Sequence, residues 1–384
     1  MHSTLFSTAF IQEMMSSFSP GKEIIVTGVS LIEVDNSASI LAVLTSAQTE
    51  KQIGHFGLRV VFSERGKVQT REMVMKVKPH GDEIVNMLAS LATLCEGELS
   101  NTYPHYKSLT GFQFTHVREQ EIYRKLAPSF TPEIFGLYSN AETGIYIILM
   151  EYLKDVDLLN TVMHPNKWSE EHIKNALAEM AKWHAKMLNS FADLDITMWP
   201  DAPSLDYMTK LTPLWSALLN NAATKFPDLY TLPRVTRLQS AISDIPVYWK
   251  ELELLPKTLI HNDFNPRNSC FKTINGQMKL CLYDWELATF HIPQYDVAEF
   301  LCFVLDEDRY DKRTEFIEYY RKQLNGLNSQ FNNKEKFLKE FYFATVDFGI
   351  HRLGMYMMAH SVAPYPYLPR VVNSFFDTID NFGN

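Results

Sequence analysis

Apolar and polar positions alternate over short distances in the first part of the chain. "EIIVTGVSLIEV" (23–34) and "SILAVLTSA" (39–47) read as strands on either side of "DNSAS" (35–39), a stretch of turn composition. "FGLRVVFSE" (56–64) and "REMVMKVKP" (71–79) read as two more strands around "RGK". The pattern predicts an antiparallel β-meander preceded by a short amphipathic helix within the first 20 residues.

The period then lengthens. "DEIVNMLASLATLC" is amphipathic at helical spacing, "GELSNTYPHYKSLTG" looks irregular, and "FTHVREQEIYRKLAP" (114–128) is helical until Pro128 stops it. "EIFGLYS" and "GIYIILMEYL" predict a last pair of strands. From Asp155 the composition turns helical. "WSEEHIKNALAEMAKWHAKML" has Ser169 as N-cap, Glu170 and Glu171 in the first turn where they suit the helix dipole, and an apolar face of Ile173, Ala176, Leu177, Met180, Met187 and Leu188. The expectation is an α+β protein of two lobes, a β-rich one over 1–150 and a mainly helical one over 151–384.

Two short strands interrupt the helical half, "TLI" (258–260) and "KLCLYDWE" (279–286), the second after a hairpin-type turn at Asn275-Gly276. Between them lies "HNDFNPRN" (261–268). An ordinary turn accounts for Asn, Asp and Pro on backbone grounds alone, but this polar knot sits at a strand end next to Asp284. After 296 the chain reads as helical again, apart from "APYPYLP".

Composition bounds the function. A net charge of −9 with no Lys/Arg-rich run argues against nucleic acid or an anionic membrane as the main partner, and a nucleotide held by a few local cations and a metal fits. Apolar runs such as "IYIILM" are too short to cross a bilayer, and the N-terminal residues show no basic leader, so neither a membrane span nor a signal peptide is expected. Cys95, Cys270, Cys281 and Cys302 form no CxxC pair and have apolar neighbours. They read as buried free thiols in a reducing cytoplasm.

Phosphoryl transfer needs a carboxylate to orient the attacking hydroxyl, oxygen ligands for Mg²⁺, a lysine for the phosphates, and a group to position that lysine. The chain offers these in order: Lys76 on a strand, Glu119 on a helix, Asp263 and Asn268 in a loop, Asp284 after a following strand. "HNDFNPRN" resembles the H-x-D-x-x-x-x-N loop of the aminoglycoside phosphotransferase and choline kinase superfamily, a small-molecule branch of the protein-kinase-like fold. "LYDWE" resembles that family's metal strand, "PQYDVAEFL" the segment after it, "VREQEIYRKLAP" its glutamate helix, "KWHA" a helix end and "ILMEYL" the hinge. The pattern is most similar to ecdysteroid-kinase-like and choline-kinase-like members.

The resemblance implies a two-lobed enzyme that phosphorylates a hydroxyl of a small molecule with ATP and Mg²⁺. By it, Asp263 is the catalytic base and Asn268 and Asp284 are metal ligands, while Glu286 reads equally as a ligand to a second metal and as an acid behind the ligands. Lys76 pairs with the phosphates and Glu119, Ser37 and Ser39 in the DNSAS turn cover the phosphates, and Glu151 and Leu153 offer backbone groups to the purine. The chain departs from the pattern in lacking a glycine-rich loop before the lysine. Lys78 shares a strand face with Lys76; Lys76 is preferred because Lys78 adjoins Pro79 at the strand end. A rival is a catalytically inactive nucleotide-binding scaffold, disfavoured by the full set of base, Asn and metal Asp. A protein kinase is disfavoured by the lack of D-F-G and A-P-E segments.

Other residues have blander readings. His261 reads as structural and His184 as a satisfied core histidine. Glu121 reads as a solvated helix charge. Arg267 reads equally as a phosphate or substrate contact and as a structural partner. "FYFATVDFGIHRLGMYMMAH" (341–360) reads mostly as core, or more sharply as a substrate wall. In that wall Asp347 and His351 share a face, and an acid among aromatics suits a cationic or apolar hydroxylated compound.

Overall fold

In the computed structural model, residues 4–34, 52–126 and 128–383 are described. The expected strand at 39–47, the DNSAS turn, and with it Ser37 and Ser39, lie outside them.

Five antiparallel strands form the sheet that the meander predicts: β1 (Ile24–Ile32), β2 (Gly54–Glu64), β3 (Lys67–Lys78), β4 (Ile134–Asn140) and β5 (Ile145–Glu151), in the order β1-β2-β3-β5-β4. The β2–β3 hairpin closes at Arg65 and Gly66, both with positive φ, in the "RGK" stretch. The N-terminal helix Thr8–Phe18 buries Ile11, Met14 and Met15 against the sheet. It approaches β4 so closely that a Cβ on Gly136 would stand 2.7 Å from Met14 Cγ. Only glycine fits there without a shift of the helix.

Two helices follow β3. Gly81–Cys95 starts in a capping box: His80 accepts from the Asp82 amide, and Glu83 reaches back to the His80 amide. The stretch expected to be irregular forms a second helix, Gly97–Tyr106, with Pro104 inside it. The burial of Leu99 and Tyr103, one turn apart on one face, outweighs the hydrogen bond that Pro104 cannot make. Both helices bury their apolar faces in one core with Trp215, Leu218, Met357, Met358 and Phe375 of the helical part.

The helix Glu170–Met187 begins where expected, with Ser169 Oγ accepting from the His172 amide, and the predicted face is buried except for the half-buried Leu188. Beside it, β6 (Thr258–Ile260) pairs with β9 (Thr289–His291), a strand too short to show a pattern. β7 (Ser269–Ile274) and β8 (Gln277–Leu282) form the expected hairpin, with positive φ at both Asn275 and Gly276. The helices Gln294–Val304, Arg313–Leu327, Lys334–Phe348, Gly354–Val362 and Leu368–Phe382 complete the chain. The class is therefore the expected one, an antiparallel sheet joined to a mainly helical part. All four cysteines are free and buried. Among the described residues no helix is long and apolar enough to cross a membrane.

Candidate active site

The helix Thr115–Lys125 places three consecutive side chains in three directions. Arg118 points to the helical part, donating to the Met198 carbonyl (2.8 Å) and the Gly111 carbonyl (3.0 Å) and pairing with Asp201. Gln120 points to the sheet, donating to the Tyr138 and Ile147 carbonyls. Glu119, between them, points at β3. This polar helix is buried on nearly every side, and Glu121, expected to be solvated, is buried as well, with Arg124 3.6 Å away. Tight packing between sheet and helical part leaves no solvated face at that position.

Glu119 Oε2 accepts from Lys76 Nζ at 2.8 Å and from Lys78 Nζ, and Tyr123 donates to Oε1. Lys76 also donates to Asp284 Oδ1 at 2.6 Å, and Lys78 to Glu286 Oε2 at 2.7 Å. Burial disfavours charge on Lys76, but Asp284 and Glu119 outweigh it and hold its pKa well above the lysine range. Burial likewise opposes charge on Glu119, and the two lysines win, so it stays ionised. Lys76 lines the cavity under the sheet; Lys78 lies deeper, its side chain fully enclosed. That cavity is also walled by Val34, Val74, Met150 and the chain leaving β5 at Glu151, Tyr152 and Leu153.

The polar knot is anchored from behind. Asp296 Oδ2 accepts from the His261 amide (2.7 Å) and from His184 Nε2 (3.1 Å), and its Oδ1 accepts from the Asn262 amide (2.9 Å). Asn262 holds the left-handed backbone (φ +59) that Asn tolerates, with its side chain on the Leu287 carbonyl. His261 Nε2 donates to the Tyr283 carbonyl, tying the loop to the end of β8. His261 and His184 are thus structural, as expected.

Asp263 faces a second cavity, between the knot and the helix Gly354–Val362. Its Oδ2 accepts from Asn268 Nδ2 at 2.7 Å. Asn268 donates that same Nδ2 to the Asp263 carbonyl, so its own carbonyl oxygen is the side-chain atom that could bind a metal. Asp263 Oδ1 accepts from Asn265, Arg267 and Arg352 and from the Tyr356 hydroxyl. Burial raises the Asp263 pKa, but Arg267 and Arg352 pull it below the ordinary carboxylate value. Asn268, Asp284 and Arg267 line both cavities and so mark their junction. Asp284 takes a left-handed backbone there (φ +65), which aims its carboxylate back at Lys76. Ligand oxygens of Glu119, Asp284 and Glu286 lie within 4.8 Å of one another. A lysine touches each of these carboxylates, but Asp284 and Glu286 line the second cavity together with Asn268 and Glu119 does not, so Asn268, Asp284 and Glu286 are the oxygen donors there that could hold a hard divalent cation.

A family model described as the APH phosphotransferase enzyme family matches residues 114–328, more than half of the chain. The chain belongs to this family. Among curated proteins no sequence match is found. Among solved structures it is similar to a Plasmodium vivax ethanolamine kinase, at 12% identity over 93% of this chain and 82% of that one, with a TM-score of 0.48. A glucosamine kinase matches at 11% identity over 96% and 99% (TM-score 0.44), and a type VIII aminoglycoside-3'-phosphotransferase at 15% over 91% and 94% (TM-score 0.37).

The family match ends before two residues that touch Asp263, Arg352 and Tyr356. In sequence they sit in a Met- and aromatic-rich helix that reads as core, and no local signal separates them. The substrate-wall reading holds for that stretch only in part. Met355, Tyr356 and Ala359 do line the second cavity. Asp347 does not: it accepts from Tyr248 Oη (2.7 Å) and Trp249 Nε1 (3.2 Å) and pairs with His291 (3.0 Å), inside the fold. His55, across the strand pair from Lys76, is a further cavity residue absent from the sequence reading, and burial, then Lys76, lower its pKa to about 4.

Proposed function

We propose that the chain transfers the γ-phosphoryl group of ATP, with Mg²⁺, to a hydroxyl of a small molecule. The observation that carries this reading is the convergence of Lys76, Glu119, Asp263, Asn268, Asp284 and Glu286, drawn from β3, a helix, a loop and a strand end, at the junction of two cavities.

The cavity under the sheet takes the nucleotide, its base beside Glu151 to Leu153 and its phosphates at Lys76. Ser37 and Ser39 are assigned to the phosphates on the sequence pattern alone. Residues 1–150 thus serve as the nucleotide lobe, and 151–384 supply the loop, the metal residues and the acceptor cleft. Asn268, Asp284 and Glu286 hold the metal, which when bound neutralises charge on the phosphates. Asp263 orients the acceptor hydroxyl and takes its proton as oxygen attacks the γ-phosphorus. The bond to the β–γ bridging oxygen breaks, and ADP leaves with that oxygen.

The test is a panel of hydroxylated metabolites incubated with γ-labelled ATP and Mg²⁺, alongside calorimetric binding of Mg·ATP. Label transfer to a metabolite supports the reading. Mg·ATP binding with no transfer to any metabolite, but transfer to a protein, refutes the acceptor class; no Mg·ATP binding refutes the whole reading.

A further inference from the structure

Four donors converge on one oxygen. Asp263 Oδ1 accepts from Asn265 Nδ2 (2.9 Å), Arg352 Nη2 (3.1 Å), Arg267 Nη2 (3.3 Å) and the Tyr356 hydroxyl. A carboxylate oxygen has about two lone-pair sites, so the cluster holds more donors than its acceptor can use. The two guanidinium groups also converge on Tyr356 Oη, at 2.9 and 3.0 Å, and both lie over the Tyr356 ring. Arg352 is 3% exposed, and its buried Nε–H has no hydrogen-bond partner.

Charge is locally unbalanced in the same sense: around Asp263 two arginines face one carboxylate. The cleft floor differs, with Lys76 and Lys78 set against three carboxylates, Glu119, Asp284 and Glu286. Glu299 offers no compensation. It is fully buried, neither of its oxygens is hydrogen-bonded, and burial, then Asp263, push its pKa up to about 8, so it carries its proton at neutral pH. Buried guanidinium groups with spare donors suit a planar anion that accepts from two N–H groups at once.

From this we infer that the acceptor carries an anionic group, a carboxylate or phosphate, seated on Arg352 with help from Arg267 and Tyr356. The inference rests on the phosphotransferase reading and names its substrate class. Arg352 lines the acceptor cleft and not the nucleotide cavity, which assigns the anion to the acceptor. Phe112 and Tyr367 in the same wall fit an aromatic or apolar body between anion and hydroxyl. An anion held by Arg352, Arg267 and Tyr356 draws these three donors off Asp263 Oδ1, which leaves Asn265 on that oxygen and a lone-pair site for the acceptor hydroxyl. An acceptor without the anion meets a base whose lone pairs are taken.

The experiment uses a matched trio: 4-(hydroxymethyl)benzoate, its amide, and 4-(hydroxymethyl)benzylamine. Binding is measured by calorimetry without nucleotide, and turnover with Mg·ATP. The carboxylate is expected to bind about tenfold or more tighter than the amide, with the amine weakest. Arg352→Gln is expected to reduce the advantage of the carboxylate to less than about threefold. Arg352→Lys, which keeps the charge and loses the fork, falls between. Should Arg352→Gln not fold, Arg267→Gln is read in its place. A preference for the amine, no saturable binding of the carboxylate, or a carboxylate advantage that survives both Arg352 substitutions overturns the inference. So does an Arg352→Gln variant that loses Mg·ATP affinity as strongly as carboxylate affinity, because the arginine then serves the nucleotide. Carboxylate binding with no Mg·ATP binding leaves the anion seat standing and removes the phosphotransferase reading instead.

Discussion

Lys76 Nζ lies 2.6 Å from Asp284 Oδ1, and 208 positions of chain separate the two residues. This ion pair joins the sheet to the residue that follows β8, and it forms because Glu119 and Lys78 fix the approach of β3 from behind. The two lysines share one strand face but differ in surroundings: Lys76 meets a cavity, Lys78 is enclosed by Glu119 and Glu286. Lys76→Met is therefore expected to weaken Mg·ATP binding more than Lys78→Met does. Lys78→Met leaves two carboxylates buried with less compensation and is expected to cost about 3 kcal/mol or more of stability. Calorimetry and thermal denaturation of both variants check this. A Lys78 variant with native melting and lost nucleotide binding gives Lys78 the phosphate role.

Asp263 and Asp284 are both acidic and both flank the junction, yet their partners differ. Asp263 meets donors that belong to the acceptor cleft; Asp284 meets Lys76. Asp263→Asn is expected to lower kcat on the order of 100-fold or more while Mg·ATP binding survives. Asp284→Ala removes a proposed metal ligand and is expected to abolish turnover and weaken Mg-dependent nucleotide binding together. If the nucleotide-binding defect belongs to Asp263→Asn and not to Asp284→Ala, the two roles are exchanged.

Asp296 touches neither cavity, but it holds the loop. Three donors point at its carboxylate: the amides of His261 and Asn262, and His184 Nε2. In Asp296→Asn one of those donors meets an NH₂ group, and the loop has to shift. A loss of about 2–4 kcal/mol and a fall in kcat of about tenfold or more are expected. The KM for ATP should change little, since β3 and the β5 exit are untouched. Native melting and native kcat in this variant would show that the loop holds itself.

The site was legible in sequence where chemistry demands a spacing. His261, Asp263, Asn268 and Asp284 are close in the chain, and the hairpin at Asn275-Gly276 shows how they meet. Lys76 and Glu119 were legible through strand and helix patterns, although their contact depends on how the two helices at 81–106 pack. Arg352 and Tyr356 were hidden because one helix serves both the core and the cleft, and apolar periodicity cannot say which turn faces which. Glu121 was misjudged for a related reason: a polar helix enclosed by sheet and helical part looks like a solvated one. The helix Gly97–Tyr106 is hard to read in sequence because it is short and polar, holds Pro104, and buries only Leu99 and Tyr103.

Glu299 makes the pH dependence of stability testable. Its carboxyl is enclosed with neither oxygen bonded, and burial, then Asp263, raise its pKa from 4.5 to about 8. The sign follows from which state ionises first. In the unfolded chain Glu299 loses its proton near its ordinary value, while in the folded chain it keeps the proton until about pH 8. Its contribution is thus fully favourable below about 4.5 and is lost as pH rises through about 8. Glu299→Gln keeps the shape and removes the proton exchange. The variant is expected to melt like the native chain at pH 5. It should be more stable at pH 8, by an amount on the order of a few kcal/mol, with the gap opening steadily between them. Thermal denaturation of the two proteins across that range is the measurement. A native chain that gains on the variant as pH rises would mean an ionised Glu299 paired with Arg352, and would also remove the charge surplus assigned to the acceptor cleft.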